Sequence, residues 1–512
     1  MILKSFIPSV AACIFSTIAA FTSLAYGSGE NLNLFEASAA KQSSKDFKPA
    51  PESIKTNFGT LEFAGGGYPE KGSAQKALDE MALQRATQAY LDFYPALSVY
   101  AIVKAQVRDF GFKTSSDIGV MADFMTPNEN YLTGNDVTVY AVASLDLKLD
   151  GPTVVEVPTG MNGTANDAAF LFLTDLGFTG PDKGKGGNYL FLPPGYDGNV
   201  PEGYFAIRSP SYRIWVMMRG FGEVGNGDQA VKWFEKWLKV YPLSATRKGN
   251  YSNVSGIGIN SLPPEDGSAF EMLNEIVQYE PADFFSMEQL GRLATLGIEK
   301  GKAFKPDARM EKILDQGARQ AVAMSRAIVY DYPNIDPTIN YWPERHWEKM
   351  FAGNTEFTRG GHRDIDARTL WHYQAIVVSP ALLSTTAGAG TAYLTAFRDG
   401  KGGYLDGGKN YRLRVPANPP VKKFWAVTAY DPSSRSLLNS GGARTVSSLK
   451  EPQVNGDGSV DVYFGAEVPD GKEGNWIKTV PGKGFFLVFR FYGPMGGYIE
   501  KTWVLNDLEL LN

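Results

Sequence analysis

The chain has 512 residues, a formal net charge of −5, and hydrophobic and charged fractions of 43% and 21%, a composition typical of soluble globular proteins. A prior of about 150 residues for each domain predicts two to four domains. The mild negative charge and the absence of a basic run argue against nucleic acid or an anionic membrane surface as a partner. The 55 glycines and 30 prolines indicate many turns and a strand-rich fold.

Residues 1–27 have the pattern of a secretory signal peptide. Lys4 precedes an apolar run over residues 6–24, and Ala25-Tyr26-Gly27 resembles a cleavage site. The run approaches the length of a membrane span, so an uncleaved anchor is the alternative. We therefore expect an exported protein, periplasmic or secreted, with no membrane span after cleavage. Cleavage also removes Cys13, the single cysteine, which excludes disulfides and thiolate chemistry from the mature chain.

The segment after the signal peptide begins with a polar stretch, residues 28–55, that predicts a flexible leader. A strand is predicted over residues 56–63, and a helix from Ser73 to about Pro95. The helix should bury one stripe of side chains, formed by Leu78, Ala82, Ala86, Ala89 and Phe93. Residues 107–219 predict mostly strands and turns, and the β-branched runs 137–143 and 153–157, bounded by glycine and proline, are typical of sandwich strands. Residues 56–245 are thus predicted as an N-terminal β-sandwich domain with flanking helices.

Residues 246–395 predict a helical region. Its signals are a capping box at Ser286 and Gln289, an N-cap at Asp307 and an amphipathic segment over residues 367–378. Before it, Asp228 predicts the start of a helix over residues 229–240, in which Trp233 and Trp237 form a second apolar face.

Residues 396–512 predict a C-terminal β-sandwich domain. Five strands are predicted, at residues 411–415, 424–430, 460–464, 485–492 and 501–504. The run 485–492 is apolar almost throughout, which indicates a strand in the middle of a sheet.

Several blocks of the sequence carry a family resemblance. They include Phe58-Gly-Thr-Leu-Glu-Phe63, the segment 79–90, Leu145-Asp-Leu-Lys-Leu-Asp-Gly-Pro152, the glycine-rich loop 180–196, Gly297-Ile-Glu-Lys-Gly-Lys302, Phe424-Trp-Ala-Val-Thr-Ala-Tyr-Asp431 and Asn475-Trp476. In this order they resemble the bacterial family in which domain of unknown function 1254 is followed by domain of unknown function 1214. The resemblance implies two jelly-roll β-sandwiches with helical elements between or beside them, and no settled activity.

Histidine is scarce, since only His346, His362 and His372 occur. A site with three histidine ligands would need one short segment to supply all of them, so no metal site and no cofactor are predicted. His362 is the best candidate for catalysis, because Gly360 and Gly361 let the backbone approach a cleft and Asp364 could tune its pKa. The alternative for Asp364 is capping of the helix that follows.

Ligand-binding candidates come from polar and aromatic side chains elsewhere. Asn128, Glu129 and Tyr131 lie in a polar turn, and Arg490 is a lone charge in an apolar run that needs a partner or a pocket. The other candidates are Trp342, His346, Asn475 and Trp476.

These observations predict a protein that binds a small polar, amphiphilic or carbohydrate ligand in a cleft between two β-sandwich domains. One alternative is a hydrolase that uses His362 and Asp364, or a carboxylate-bound cation, to activate water. Another is a structural envelope protein. The sequence leaves self-association into a homo-oligomer open.

Overall fold

The computed structural model describes residues 51–65, 67–220, 226–383 and 386–511. The predicted signal peptide and residues 28–50 of the predicted leader lie outside these ranges. The described residues form two compact units that divide between Ala77 and Leu78. Among them the fold is mixed α/β, predominantly strands, with several sheets and eight α-helices.

The first unit contains a three-stranded antiparallel sheet in the order β1-β2-β3. Its strands are β1 (Ser53–Thr56), β2 (Gly59–Ala64) and β3 (Tyr68–Pro69). The first strand begins at Ser53, so the last residues of the predicted leader are part of a sheet.

Helix α1 (Lys71–Ala105) is longer than the sequence predicted, because it continues through Pro95. Proline in a helix costs about 3 kcal/mol, since it removes the bond to the carbonyl four residues earlier. Burial of Leu97, Val99 and Ile102 after the proline offsets this cost, at about 2 kcal/mol for each side chain. The predicted stripe is buried at Ala82, Ala86, Ala89 and Phe93, whereas Leu78 is 51% exposed.

The first β domain comprises two main sheets, a short β5–β15 pair and two short helices. Its elements are β4 (Asp117–Met121), β5 (Glu129–Asn130), β6 (Val139–Asp146), α2 (Leu147–Asp150), β7 (Thr153–Val157), β8 (Asn162–Asp167), β9 (Phe172–Gly177), β10 (Gly187–Leu192), β11 (Tyr204–Arg208), β12 (Arg213–Gly220), α3 (Gly227–Trp237), β13 (Lys239–Pro242), β14 (Asn250–Asn253) and β15 (Ile259–Asn260). A six-stranded sheet has the order β14-β4-β6-β12-β8-β9, and a four-stranded sheet has the order β11-β10-β7-β13.

One apolar core joins these two sheets. It includes Val120 and Val216 from the six-stranded sheet and Val155 and Tyr189 from the four-stranded sheet. Alternate residues of β12 point the other way, because side chains alternate between the two faces of a strand. Trp215 therefore belongs to a different core, which the six-stranded sheet shares with the helices.

The glycine-rich loop before β10 is organised by the buried side chain of Asp182. Its carboxylate accepts bonds from the backbone amides of Gly177 (2.9 Å) and Gly186 (2.8 Å) and from the Tyr189 hydroxyl (2.7 Å). Gly186 has a φ of +80°, and a Cβ there would lie 2.7 Å from the Val157 carbonyl oxygen. The glycines thus serve a tight structural loop.

Helix α3 differs from the prediction at both ends. Asn226 precedes it and Asp228 lies in its first turn, without a side-chain cap bond. The helix stops at Trp237 because Lys239 begins β13, which pairs with β7. Trp237 is 49% exposed, so it does not form the predicted second buried face.

The helical region contains α4 (Ser268–Tyr279), α5 (Met287–Ala294), α6 (Ala308–Tyr330) and α7 (Ile365–Gln374). The capping box of Ser286 and Gln289 is confirmed, and the Asp307 carboxylate accepts a bond from the Met310 amide at 2.7 Å. With α1 these helices form a core that includes Leu97, Phe270, Leu314, Ala321 and Leu370.

The second β domain again pairs two main sheets. Its elements are β16 (Trp347–Lys349), β17 (Thr358–Arg359), β18 (His362–Arg363), β19 (Thr391–Ala396), β20 (Tyr411–Val415), β21 (Val421–Tyr430), β22 (Thr445–Ser447), β23 (Val460–Gly465), β24 (Trp476–Lys478), β25 (Phe486–Pro494), α8 (Gly496–Ile499) and β26 (Glu509–Leu510). A five-stranded sheet has the order β16-β19-β25-β21-β22, and a four-stranded sheet has the order β24-β23-β20-β26. Strands β16 and β19 come from the segment that was predicted as helical.

The strand predicted at residues 501–504 is wrong. Lys501 has a φ of +59°, a left-handed conformation that interrupts an extended strand. The Trp503 indole nitrogen instead donates to the Ala417 carbonyl oxygen at 3.0 Å.

Strand β25 lies in the middle of its sheet, between β19 and β21, as its apolar run predicted. Leu487, Phe489 and Phe491 pack in the core between the two sheets of the second β domain. Arg490 and Tyr492, on the opposite face, contact the first β domain. Both faces are thus buried, which explains why the run lacks the alternation of a half-exposed strand.

Candidate functional site

The predicted catalytic pair does not assemble. His362 is exposed on the short β17–β18 ladder, and neither it nor Asp364 lines any of the four cavities described below. Asp364 caps α7 by accepting a bond from the Ala367 amide at 3.0 Å and forms an ion pair with Arg359 at 2.8 Å. The capping alternative for Asp364 is confirmed.

The other two histidines, His346 and His372, also line none of the four cavities. The His346 backbone amide donates to the Asp507 carboxylate at 2.9 Å. His372 is 1% exposed and its ring stacks on Phe170 with centroids 5.8 Å apart. Burial holds the pKa of His372 well below its usual 6.5, so the ring is neutral. Among the described residues, no group of three His, Cys, Asp or Glu side chains could hold a metal ion.

The polar turn at residues 126–131 is mainly structural. Asn128 is exposed, whereas the Glu129 carboxylate is buried and accepts bonds from the amides of Thr126 (2.8 Å) and Gly256 (2.7 Å). Tyr131 is buried and lines a cavity. The structure therefore places one member of this predicted trio at a cavity.

Three further candidates have structural roles. Trp342 lies in the core of the second β domain. The buried Asn475 side chain bonds both to the backbone of Gln453 and to the Asp461 carbonyl oxygen, at 2.7 to 2.9 Å. The Trp476 indole nitrogen donates to the Gly465 carbonyl oxygen at 3.0 Å. None of these three lines one of the four cavities.

Arg490 joins the two β domains. Its guanidinium donates to the Tyr430 hydroxyl (2.6 Å), to the Thr428 hydroxyl (3.2 Å) and to the Thr133 carbonyl oxygen (3.1 Å) of the first β domain. The residue is 3% exposed and forms no ion pair within the described part of the chain. Neutral oxygens thus satisfy this buried charge, which also borders a cavity.

Three cavities at or beside this junction share lining residues, and we call them together the interdomain cleft. The first and third are lined by residues of both β domains, whereas the second is lined by residues 341–499 alone. The first has a volume of about 310 Å³ and is lined by strands of both β domains. The six-stranded sheet contributes Tyr140, Thr164, Met217 and Arg219, and the five-stranded sheet contributes Thr391, Tyr393, Lys422, Lys423 and Tyr492.

The second and third cavities have volumes of about 210 and 90 Å³. Tyr393 and Leu382 line all three cavities, so these side chains stand at their common junction. The second cavity also includes Phe351, Tyr498 and Ile499, and the third includes Met125, Tyr131, Trp371 and Arg490. Most of the lining beyond the first cavity is therefore apolar or aromatic.

The described residues that line the cleft carry charges of one sign. Its lining includes the cations Arg219, Lys349, Lys422, Lys423 and Arg490. No Asp or Glu occurs among the described residues that line it. The pKa of Lys423 is lowered by desolvation and then by the charges of Arg219 and Lys422, although the residue as a whole is exposed.

A fourth cavity, of about 500 Å³, has a different character. It is lined by Lys104, Arg108, Glu265 and Arg435, among others. Its cations are paired with carboxylates, for example Arg435 with Glu265 at 2.7 Å and Lys104 with Glu275 at 2.9 Å. Internal pairing leaves this groove with less capacity to attract a charged ligand.

Sequence reasoning missed most of the cleft. Tyr140, Arg219 and Lys422 lie in predicted strands or between them, Tyr393 lies in the segment predicted as helical, and no local motif singles them out. The one available signal was a charge near the end of an apolar strand, seen at Arg219 near the end of β12 and at Lys422 and Lys423 near the start of β21.

Comparisons with known proteins agree with the domain order. Residues 116–242 match the family described as "Protein of unknown function (DUF1254)", and residues 390–496 match "Protein of unknown function (DUF1214)". No curated protein matches the chain.

Two crystal structures are similar to the chain at low identity. The VPA0106 protein from Vibrio parahaemolyticus is 18% identical, with a TM-score of 0.50 over 84% of this chain and 100% of that one. An uncharacterized protein from Burkholderia cenocepacia is 12% identical, with a TM-score of 0.41 over 86% of this chain and 97% of that one. The first similarity supports a shared fold alone. The chain therefore carries a DUF1254 domain followed by a DUF1214 domain, the combination that the sequence blocks predicted.

Proposed function

We propose that the protein binds a small amphiphilic ligand in the interdomain cleft. The observation that carries the proposal is the lining of the first cavity, which combines aromatic and apolar side chains with hydroxyls and cations from both β domains. Its volume of about 310 Å³ lies within the range of small-molecule sites. The proposal includes the interpretation of each pair of sheets as a jelly-roll sandwich.

Two features favour an amphiphile over a carbohydrate. Sugars stack on exposed aromatic faces, whereas Trp371, the tryptophan among the described residues that line the cleft, is buried. The cleft instead offers thioethers and aliphatic groups, such as Met217 and Leu382, which suit an apolar body.

The hydrolase alternative has less support. It requires His362 to face a cleft and to contact Asp364, but Asp364 pairs with Arg359 and caps α7. Binding without turnover is therefore the simpler function for this geometry.

A fluorescence titration tests the proposal. N-phenyl-1-naphthylamine is a neutral aromatic probe whose emission rises in an apolar site. Met217→Trp should fill the first cavity and weaken its binding about tenfold, because close packing leaves little room for added volume. Met287→Trp is the matched control, since Met287 is 84% exposed and lies outside the cleft. Equal binding by both variants would rule out the cleft as the site.

Export is the second part of the proposal, because it decides which ligands the protein meets. It rests on the signal-peptide pattern of residues 1–27. None of the described helices is long and apolar enough to cross a membrane. Mass spectrometry of the protein recovered after expression should find an N-terminus at Ser28, and deletion of residues 2–27 should abolish export. An intact N-terminus on exported protein would favour the anchor alternative.

A further inference from the structure

The interdomain cleft has a charge opposite to that of the whole chain. The chain carries 55 acidic and 50 basic residues, yet the described lining of the cleft contains five cations and no carboxylate. A concave surface lined by one sign of charge concentrates counter-ions and ligands of the opposite sign.

The cations are not equivalent. Arg490 is already committed to neutral oxygens of Tyr430, Thr428 and Thr133. Arg219 donates to the Thr391 hydroxyl at 3.4 Å, and its guanidinium lies 5.7 Å from the Tyr492 ring centroid. Lys422 is exposed and makes no ion pair in the part of the chain that the structure describes. Lys422 is therefore the cation most available to a ligand.

Three of the five cations are specific to the first cavity. Lys422, Lys423 and Arg219 line only the first cavity among the three. The pKa of Lys423 is lowered by desolvation and then by Arg219 and Lys422, so these charges are close enough to repel one another.

The apolar part of the cleft begins next to these charges. Met217 and Tyr393 line both the first cavity and the third, where Met125, Met350 and Trp371 follow. A single molecule that spans the first and third cavities would thus meet Lys422 and Lys423 in the first and, in the third, mostly apolar side chains beside the already bonded Arg490.

From this arrangement we infer that the ligand is an anionic amphiphile, whose carboxylate, sulfonate or phosphate group is held by Lys422, next to Lys423 and Arg219. Its aromatic or aliphatic body occupies the space around Met217 and Tyr393. This inference rests on the proposed function and adds the charge of the ligand to it.

A pair of probes separates the two proposals. 1-Anilinonaphthalene-8-sulfonate has the same aromatic body as N-phenyl-1-naphthylamine and differs by one sulfonate group. We expect the anionic probe to bind more tightly to the wild-type protein at low salt. The double variant Lys422→Gln, Lys423→Gln should weaken binding of the anionic probe about fivefold or more and leave binding of the neutral probe unchanged.

A matched double variant controls for net charge. Lys401→Gln, Lys450→Gln removes two exposed lysines that lie outside the cleft, so it should leave the binding of both probes unchanged. Raising the ionic strength should weaken the binding of the anionic probe and leave the binding of the neutral probe unchanged, because salt screens exposed charges.

The outcomes distinguish the two proposals. If the neutral probe depends on Met217 but the anionic probe binds no more tightly and ignores the two lysines, the inferred charge is wrong and the cleft remains the binding site. If neither probe depends on Met217, both proposals fail. If Lys401→Gln, Lys450→Gln weakens binding of the anionic probe as much as Lys422→Gln, Lys423→Gln does, the probe responds to the overall charge of the protein, and the inference is wrong.

Discussion

The side-chain amide of Asn135 donates a hydrogen bond of 2.8 Å to the hydroxyl of Tyr492. Asn135 belongs to the first β domain and Tyr492 to the central strand of the second. The same amide also donates to the hydroxyl of Tyr140 at 2.9 Å, and the side-chain oxygen accepts a bond from the Val137 amide at 3.1 Å. Two of these groups, Tyr140 and Tyr492, line the first cavity, so the bond that joins the domains also shapes the cleft.

Asn135→Ala should therefore destabilise the protein. The change leaves buried hydroxyls and an amide without their partner, which costs about 1–3 kcal/mol. Urea unfolding followed by tryptophan fluorescence would measure the loss. Asn128→Ala is the matched control, because Asn128 is exposed and the change should stay within about 0.5 kcal/mol. Similar losses for both variants would show that the bond across the domains contributes nothing particular.

Arg490→Met should cost more. It removes charge-assisted bonds to Tyr430, Thr428 and Thr133 and leaves buried oxygens unsatisfied, so we expect a loss of about 3 kcal/mol or more in the free energy of unfolding. Arg414→Met provides the comparison, because Arg414 forms its ion pair with Asp457 at the surface, where such pairs contribute about 1 kcal/mol or less. A loss at Arg490 as small as that at Arg414 would contradict its role in joining the domains.

His362 and Asp364 should behave differently from a catalytic pair. Asp364→Ala removes the N-cap of α7 and should lower the free energy of unfolding by about 1 kcal/mol. His362→Ala should change it by less than about 0.5 kcal/mol, because the residue is exposed. Neither variant should alter the affinity for the neutral probe. Loss of probe binding on His362→Ala, with folding intact, would return His362 to the candidate site.

Glu348 should make stability depend on pH. The pKa of Glu348 is raised from 4.5 to about 8. Burial is the largest cause; the charge of Arg398 opposes the shift and the charge of Asp331 adds to it. At pH values between 4.5 and 8, the Glu348 carboxyl keeps its proton in the folded state but has released it in the unfolded chain. The unfolded state then binds fewer protons, so this residue lowers stability as pH rises through the window.

Glu348→Gln removes this dependence. The variant should gain stability relative to the wild-type protein as pH rises from 4.5 to 8, by up to about 1.4 kcal/mol for each pH unit. Urea unfolding at several pH values in that window would measure the difference. Glu500→Gln, at an exposed position, should show no such trend. A difference between Glu348→Gln and the wild-type protein that stays constant with pH would show that Glu348 is ionised in the folded state.

The sequence predicted elements best where the signal was local. The capping box at Ser286 and Gln289, the N-cap at Asp307 and strand β20 all depend on neighbouring residues, and all are confirmed. The order of the two family domains was also predicted, because its blocks are spread along the chain.

Elements that depend on distant contacts were harder to predict. Pro95 should end a helix by local rules, but burial of the following turn keeps α1 helical as far as Ala105. Strand β19 lies in a segment that was predicted as helical and is fixed by pairing with β25, about 100 residues later.

The candidate site was the least predictable part. Of the predicted residues, Arg490 and Tyr131 border the cleft, whereas His362, Asp364, Trp342, Asn475 and Trp476 have other surroundings. A cleft between two sheets brings together residues such as Tyr140 and Lys422, which are far apart in sequence. A motif of neighbouring residues cannot predict a contact between residues so far apart in sequence.

Strand β25 also limits how this chain can change over evolutionary time. Its odd-numbered residues, such as Phe489, fill the core of one domain, and its even-numbered residues, such as Arg490, bond to the other. Insertion or deletion of a single residue would exchange the two sets and drive a guanidinium into an apolar core. Relatives with this architecture should therefore vary β25 by substitution, and should accept length changes only in the loops beyond it.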